Sequence, residues 1–352
     1  MKIVVLGATG NVGKALVERL VTEPGHEVVG VARRSPGGDW PGDFHEADVR
    51  IDDLTAVLHR ADAVVHLAWF FQPTHDPAVT WQNNVVGTER VLAAAAAAEV
   101  ATVMVASSVG AYSPGPPVDD DGARRRVDEL WPTHSTPTAA YGREKAYVER
   151  LLDRFEVEWP TVRVLRMRPS FMLRRGAATE QRRIFAGPFV PRALVTNLPV
   201  LPYPRGLEFQ ALHTDDAVEA FARALTSGAR GAFNLAAEPV LDGARVAELL
   251  GTRLVEVPRR VVRTAIATAW HARVAPAEPA LFDLVCRLPL LDTTRAREEL
   301  GWTPRRRSTD AITEFVEGLR HGAGDATVPL APDGVVSRAE ELASGVGGHP
   351  LG

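Results

Sequence analysis

The segment Gly7-Ala8-Thr9-Gly10-Asn11-Val12-Gly13 constrains this chain more than any other. It follows an apolar, β-type run at Ile3–Leu6 and opens a stretch of helical periodicity at Val12–Val21. A glycine triplet alone says little in a chain with 29 glycines. At a strand-to-helix turn it has a physical reading. The first glycine permits the tight turn, the second lets a phosphate reach the backbone, and the third lets helix and strand pack closely. The helix then offers unpaired N–H groups and a positive dipole end to that phosphate. Gly7, Thr9, Gly10, Asn11, Val12 and Gly13 are therefore candidates for holding a dinucleotide.

Beyond this turn the strand–helix pattern repeats. Short runs rich in Val and Ile predict strands at Val28–Val31, Ala63–Leu67, Thr102–Ala106 and Thr161–Leu165. Helical stretches lie between them at Leu54–His59, Asn84–Ala98 and Ala139–Phe155. Runs with few charges suit strands buried on both faces, and their alternation with helices predicts a doubly wound parallel sheet of the α/β class. A dinucleotide-binding unit is expected over residues 1–169, with 211–236 returning to it. Residues 170–210 are proline-rich and lack a long periodic element, and 237–320 are mostly helical; together they form the expected smaller substrate-binding region. The glycine-rich residues 321–352 read as a mobile tail.

Composition narrows the function classes. A net charge of −4 gives no electrostatic case for a nucleic-acid or anionic-membrane partner. Cys286 is the single cysteine, and no HExxH pair occurs, so no metal site is expected. MKIVVLG runs straight into a strand, and no window of 18 apolar residues lacks a charge; the expectation is a soluble, cytoplasmic enzyme with a small-molecule substrate.

The end of the second strand bears on which dinucleotide would bind. An acid there would accept from the ribose 2′-OH of NAD(H). Here Ala32-Arg33-Arg34 stands instead, and a guanidinium binds a 2′-phosphate through charge-assisted bonds. Arg33 and Arg34 therefore favour NADP(H), with NAD(H) as the alternative. Asp48-Val49 falls where an adenine contact is expected, and Leu67-Ala68 where small residues let a cofactor lie close.

Tyr141-Gly142-Arg143-Glu144-Lys145 sets a tyrosine and a lysine at i, i+4 on one helix face. The chain has four Tyr and only three Lys against 37 Arg, so the pairing is selective. A free tyrosine titrates near 10; an ammonium about 4 Å away is worth at most about 4 kcal/mol at an effective dielectric of 20, or about three pKa units. Tyr141 then suits proton exchange during hydride transfer, and Ser108, after the strand at Thr102–Ala106, suits a hydrogen bond to the reacting oxygen.

As a set, these residues resemble the extended short-chain dehydrogenase/reductase superfamily, the NAD-dependent epimerase/dehydratase group. The likeness rests on GATGNVG at 7–13, Asp48-Val49, HLAW at 66–69, NVVGT at 84–88, SSVGAY at 107–112, YGREK at 141–145, HTDDA at 213–217, FNLA at 233–236 and DTTRAREELGWTP at 292–304. It implies a Rossmann-like sheet, with Tyr141 as general acid/base, Lys145 on the nicotinamide ribose and Ser108 on the substrate oxygen. Asn84 matches the family's N-x-x-G-T asparagine, which supports the active-site backbone; a helix N-cap is an equal reading. The resemblance also implies a homodimer through the helices at 84–98 and 139–155.

Departures from the family pattern bear on substrate. Pro169 or Ser170 stands where an asparagine holds a sugar diphosphate, the dehydratase acid pair is missing after Ser107-Ser108, and Trp69-Phe70-Phe71 replaces small residues. The leading expectation is an NADP(H)-dependent reductase or dehydrogenase acting on a carbonyl or secondary alcohol. A nucleotide-sugar epimerase or dehydratase and a non-catalytic dinucleotide sensor are the alternatives.

Overall fold

The computed structural model describes residues 1–37, 39–72, 74–119, 124–187, 199–332 and 346. Its centre is a seven-stranded parallel sheet. The strands are β1 (Lys2–Leu6), β2 (Glu27–Ala32), β3 (Asp43–Glu46), β4 (Ala63–His66), β5 (Thr102–Ala106), β6 (Arg163–Pro169) and β7 (Gly231–Leu235). Their spatial order is β7-β6-β5-β4-β1-β2-β3, so the winding reverses at β1, between β2 and β4. That is where a doubly wound sheet opens its crevice, at the carboxyl ends of the strands.

Both faces are covered. Ile3 and Val5 of β1 point to one apolar layer with Leu16, Val17, Phe221 and Leu225. Val4 and Leu6 point to the other, with Val91, Leu92, Leu151 and Leu152. The helices supplying these residues are α1 (Asn11–Leu20) and α4 (Thr214–Thr226) on the first face, and α2 (Gly87–Ala97) and α3 (Ala140–Glu158) on the second. Ala232–Leu235 and the helix after His213 thus join the central sheet.

Two strands differ from expectation. β3 has no apolar run because it is a short edge strand, mostly exposed. The strand expected at Thr161–Leu165 runs instead from Arg163 to Pro169. Arg166 and Arg168 interrupt its apolar pattern, yet both are buried because Glu149 pairs with them.

The described residues of the 170–210 segment, 170–187 and 199–210, are more ordered than a loop. They include a strand at Phe171–Leu173 paired with Ala211–His213, a helix at Ala178–Phe185, and a strand at Val200–Pro204 paired with Arg253–Val257. A separate apolar cluster, including Leu173, Tyr203, Leu241, Val246 and Ile312, fills this region. The expected tail is also partly structured. His321 ends the helix Ser308–His321, and Thr327 and Leu330 are buried. Contacts at 323–331 replace the freedom that the glycines suggest; most of the remaining tail lies outside the described residues. Among the described residues no helix is long and apolar enough to cross a membrane.

Candidate active site

Gly7 and Gly13 are dictated by the protein itself. Gly7 has φ +83°, and a Cβ on it would lie 2.6 Å from the Ala68 nitrogen. A Cβ on Gly13 would lie 2.2 Å from the Gly7 oxygen. Gly10 is different: the nearest atom to a Cβ there is the Gly7 oxygen, at 3.5 Å. The fold leaves room at Gly10, and Gly10 caps α1 without a side-chain acceptor. An anion could approach the first helical turn at this point, so the residues present fit a dinucleotide phosphate. Asn11 and Val12 form that turn, and Leu67 and Ala68 wall its other side as β1 and β4 diverge.

At the end of β2, two arginines gather round one aromatic ring. The Arg33 guanidinium lies 4.4 Å from the Phe70 centroid and that of Arg50 lies 5.6 Å away, while Arg34 is exposed beside them. Asp48, placed in sequence at an adenine contact, is engaged by Arg50. Its carboxylate accepts from the Arg50 backbone N–H at 2.9 Å and from Nη2 at 2.6 Å. Burial pushes Asp48 up, but these bonds outweigh it and hold the carboxyl below its ordinary range. Val49 is buried against Gly87.

Ser108, Tyr141 and Lys145 come together beyond the end of β5. Ser108 accepts from the Gly110 N–H at 3.0 Å, and a Cβ on Gly110 would strike the Tyr141 ring at 2.7 Å. Burial pushes the Tyr141 phenol up to about 12, partly opposed by a hydrogen bond with Ser108. Lys145 is buried, and its Nζ donates to the Ala106 oxygen at 2.8 Å. Burial lowers it to about 7, against the charges of Glu144 and Glu149.

The Tyr–Lys spacing predicts an ammonium that lowers the tyrosine. The structure has Lys145 Nζ 5.9 Å from the Tyr141 centroid and 3.4 Å from that of Trp69. Phe71 stacks on Tyr141 with centroids 5.1 Å apart, and Trp69 meets it edge-on at 5.9 Å. Burial costs both charged forms more than Ser108 returns to Tyr141 or Glu144 and Glu149 return to Lys145. Trp69 and Phe71 of the aromatic trio thus line Tyr141, with Phe185 against Phe71 at 5.8 Å, while Phe70 faces Arg33 and Arg50.

Asn84 is not an N-cap. It lies within a wider, π-helical turn at Gln82–Val86, before α2, and is fully buried. Its amide accepts from the Phe70 N–H at 2.7 Å and donates to the Phe70 oxygen at 2.8 Å, pinning the aromatic segment. The same amide donates to Glu144 at 2.7 Å, and Glu144 also accepts from Thr80 at 2.6 Å. Sequence reasoning missed Glu144, although it lies inside the Tyr–Lys motif.

It also missed Glu149, one turn beyond Lys145 on the same helix face. Burial would raise this carboxyl, but Arg168 and Arg166 bring it to about 2. Glu149 accepts from Arg168 Nε and Nη2, each at 2.8 Å, and from Ser107 at 2.6 Å. Ser107 is committed to that pair, while Ser108 faces Tyr141. Among the described residues no group of His, Cys, Asp and Glu is arranged to hold a metal ion.

Comparison with known proteins gives the same frame. Residues 3–236 match the sequence profile of the NAD dependent epimerase/dehydratase family. An uncharacterized protein of Mycobacterium tuberculosis is 29% identical over 94% of this chain, but the chain spans only about a third (32%) of its length. A protein of Mycolicibacterium smegmatis named UDP-glucose 4-epimerase is 29% identical, covering 91% of this chain and 99% of that one. A Kitasatospora kifunensis protein named dTDP-6-deoxy-L-talose 4-dehydrogenase (NAD(P)(+)) is 28% identical, covering 89% and 94%. The solved UDP-glucose 4-epimerase of Thermotoga maritima superposes with a TM-score of 0.67 at 21% identity, over 91% of this chain and 99% of that one, and supports the Rossmann-like fold.

Proposed function

Because this chain belongs to the NAD dependent epimerase/dehydratase family, we propose that it is an NAD(P)-dependent oxidoreductase acting on a carbonyl or secondary alcohol. The observation that carries the reading is the convergence of Ser108, Tyr141 and Lys145 beside a glycine turn with room for a phosphate. Residues 1–169 with 211–236 would form the dinucleotide unit and the intervening and following segments the substrate region. The exposed faces of α2 and α3 would serve a homodimer.

A bound nicotinamide supplies or takes the hydride. Tyr141, protonated at neutral pH with its phenol near 12, donates to the substrate oxygen during reduction and recovers the proton in the reverse direction. Ser108 holds that oxygen and stabilises the charge developing on it. Lys145 would hold the nicotinamide ribose; near 7, it changes charge within the neutral range and favours the phenolate when protonated. Arg33 and Arg34 would bind a 2′-phosphate, which favours NADP(H); Arg33 is already oriented by Phe70.

Trp69, Phe71 and Phe185 make the wall next to Tyr141 apolar, and Pro169 and Ser170 offer no amide for a diphosphate. Both features favour a smaller or more apolar substrate than a nucleotide sugar. The second reading, nucleotide-sugar epimerisation, is favoured by the near full-length similarity to a protein of that name. Titration of NADPH and NADH against the wild type and Arg33→Ala, with mass spectrometry of co-purifying ligands, separates them. Tighter NADPH binding, reduced by tenfold or more in the variant, supports the reductase. Equal affinities remove the NADP(H) preference, and co-purified NAD with a sugar nucleotide supports the epimerase.

A further inference from the structure

The segment Ala323–Leu330, far from the glycine turn in sequence, lies across it in space. Thr327, only 1% exposed, donates its hydroxyl to the Thr9 oxygen at 2.7 Å across a separation of 318 residues. The other end of the same peptide unit, the Gly10 N–H, donates to the Gly7 oxygen at 3.2 Å. Both polar ends of the Thr9–Gly10 peptide are therefore fixed, one by the turn and the other by the distant strap. Holding this peptide fixes the direction of the first helical turn after it, whose Asn11 and Val12 N–H groups are the donors a phosphate would meet.

The strap is anchored independently of Thr327. Asp325 pairs with Lys14 of α1 at 3.0 Å. On the substrate side, Thr179 donates to the Ala323 oxygen at 2.7 Å, and Arg183 donates to the Ala331 oxygen at 2.7 Å. The Asp325 N–H closes the strap on the Leu330 oxygen at 2.6 Å, and Leu330 is fully buried.

We infer that Thr327 is a positioning residue for the dinucleotide phosphates, acting through the Thr9–Gly10 peptide. The inference rests on the reading of this cleft as a dinucleotide site. Thr327 touches neither the 2′-phosphate region at Arg33 nor the Tyr141 pair, so its influence is specific to the pyrophosphate and common to both cofactors.

The test measures NADPH, NADH and adenosine 2′-monophosphate, which carries no 5′-phosphate, against full-length variants. Thr327→Val is expected to weaken NADPH and NADH alike by about tenfold, as for a buried carbonyl left without its donor. Binding of adenosine 2′-monophosphate stays within about twofold, and Thr327→Ser restores the wild-type values. Thr179→Val removes one of the strap's anchors while leaving Thr327 in place; it gives a smaller loss and serves if Thr327→Val does not fold. Unchanged NADPH affinity in both valine variants, or an equal loss for adenosine 2′-monophosphate, overturns the role of Thr327. A wild type that binds neither NADPH nor NADH overturns the cofactor reading and this inference together.

Discussion

The Lys145 ammonium nitrogen stands 3.4 Å from the centroid of the Trp69 ring. An indole face attracts a cation by about 0.5–2 kcal/mol, yet burial still brings Lys145 to about 7 from 10.5. Trp69 and the Ala106 oxygen thus hold a lysine whose charge is only weakly favoured at neutral pH.

Burial of this lysine couples stability to pH. Unfolded Lys145 keeps its proton to about 10.5, whereas folded Lys145 releases it near 7. Between those values the unfolded state binds more protons, so this residue makes the fold more stable as pH rises. Urea unfolding of the wild type and Lys145→Met across pH 7 to 10.5 should show a rise in the wild type that the variant lacks. Parallel profiles would exclude the buried, depressed lysine.

Glu149, one turn further along the same helix, is expected to govern acid stability. Its carboxyl is held near 2 against an ordinary 4.5, so its contribution is complete above 4.5 and is lost as pH falls towards 2. Glu149→Gln leaves Arg166 and Arg168 buried without their shared anion and should cost about 3–5 kcal/mol at neutral pH. The variant should also lose the wild-type dependence on pH over this interval. Denaturant titration with near-wild-type stability would show that Asp153, Glu156 and the other partners of these arginines suffice.

The two adjacent serines should separate by readout. Ser108→Ala is expected to lower turnover by an amount equivalent to about 3 kcal/mol of transition-state stabilisation, with cofactor affinity little changed. Ser107→Ala should instead reduce stability, by about 1–3 kcal/mol, because its hydroxyl serves the buried Glu149. Steady-state rates and unfolding curves on both variants decide this; a rate defect confined to Ser107→Ala would shift the assignment by one residue.

How much of this is legible in sequence depends on the range of the interaction. The glycine turn, the strands β1, β2, β4 and β5 and the Tyr141–Lys145 spacing are local patterns, and each lies within a residue or two of where its period places it. β6 departs from its expected bounds because Arg166 and Arg168 look like surface residues until Glu149, on α3, is brought beside them. Asn84 has the acceptor chemistry of a cap, but its partners Phe70 and Glu144 come from other segments. The aromatic trio is visible as bulk, without any sign that Trp69 covers Lys145. The strap at 323–331 reads as free because its hold on Thr9 depends on a contact no local pattern encodes.

Turnover of Tyr141→Phe tests proton donation by this phenol most directly. Oxidation of NADPH is followed with a panel of small ketones and aldehydes, alongside NADPH affinity. If Tyr141 donates the proton, turnover on any substrate found for the wild type falls by about 10² to 10⁴, while cofactor affinity stays nearly unchanged. Wild-type turnover in Tyr141→Phe would remove Tyr141 as the proton donor.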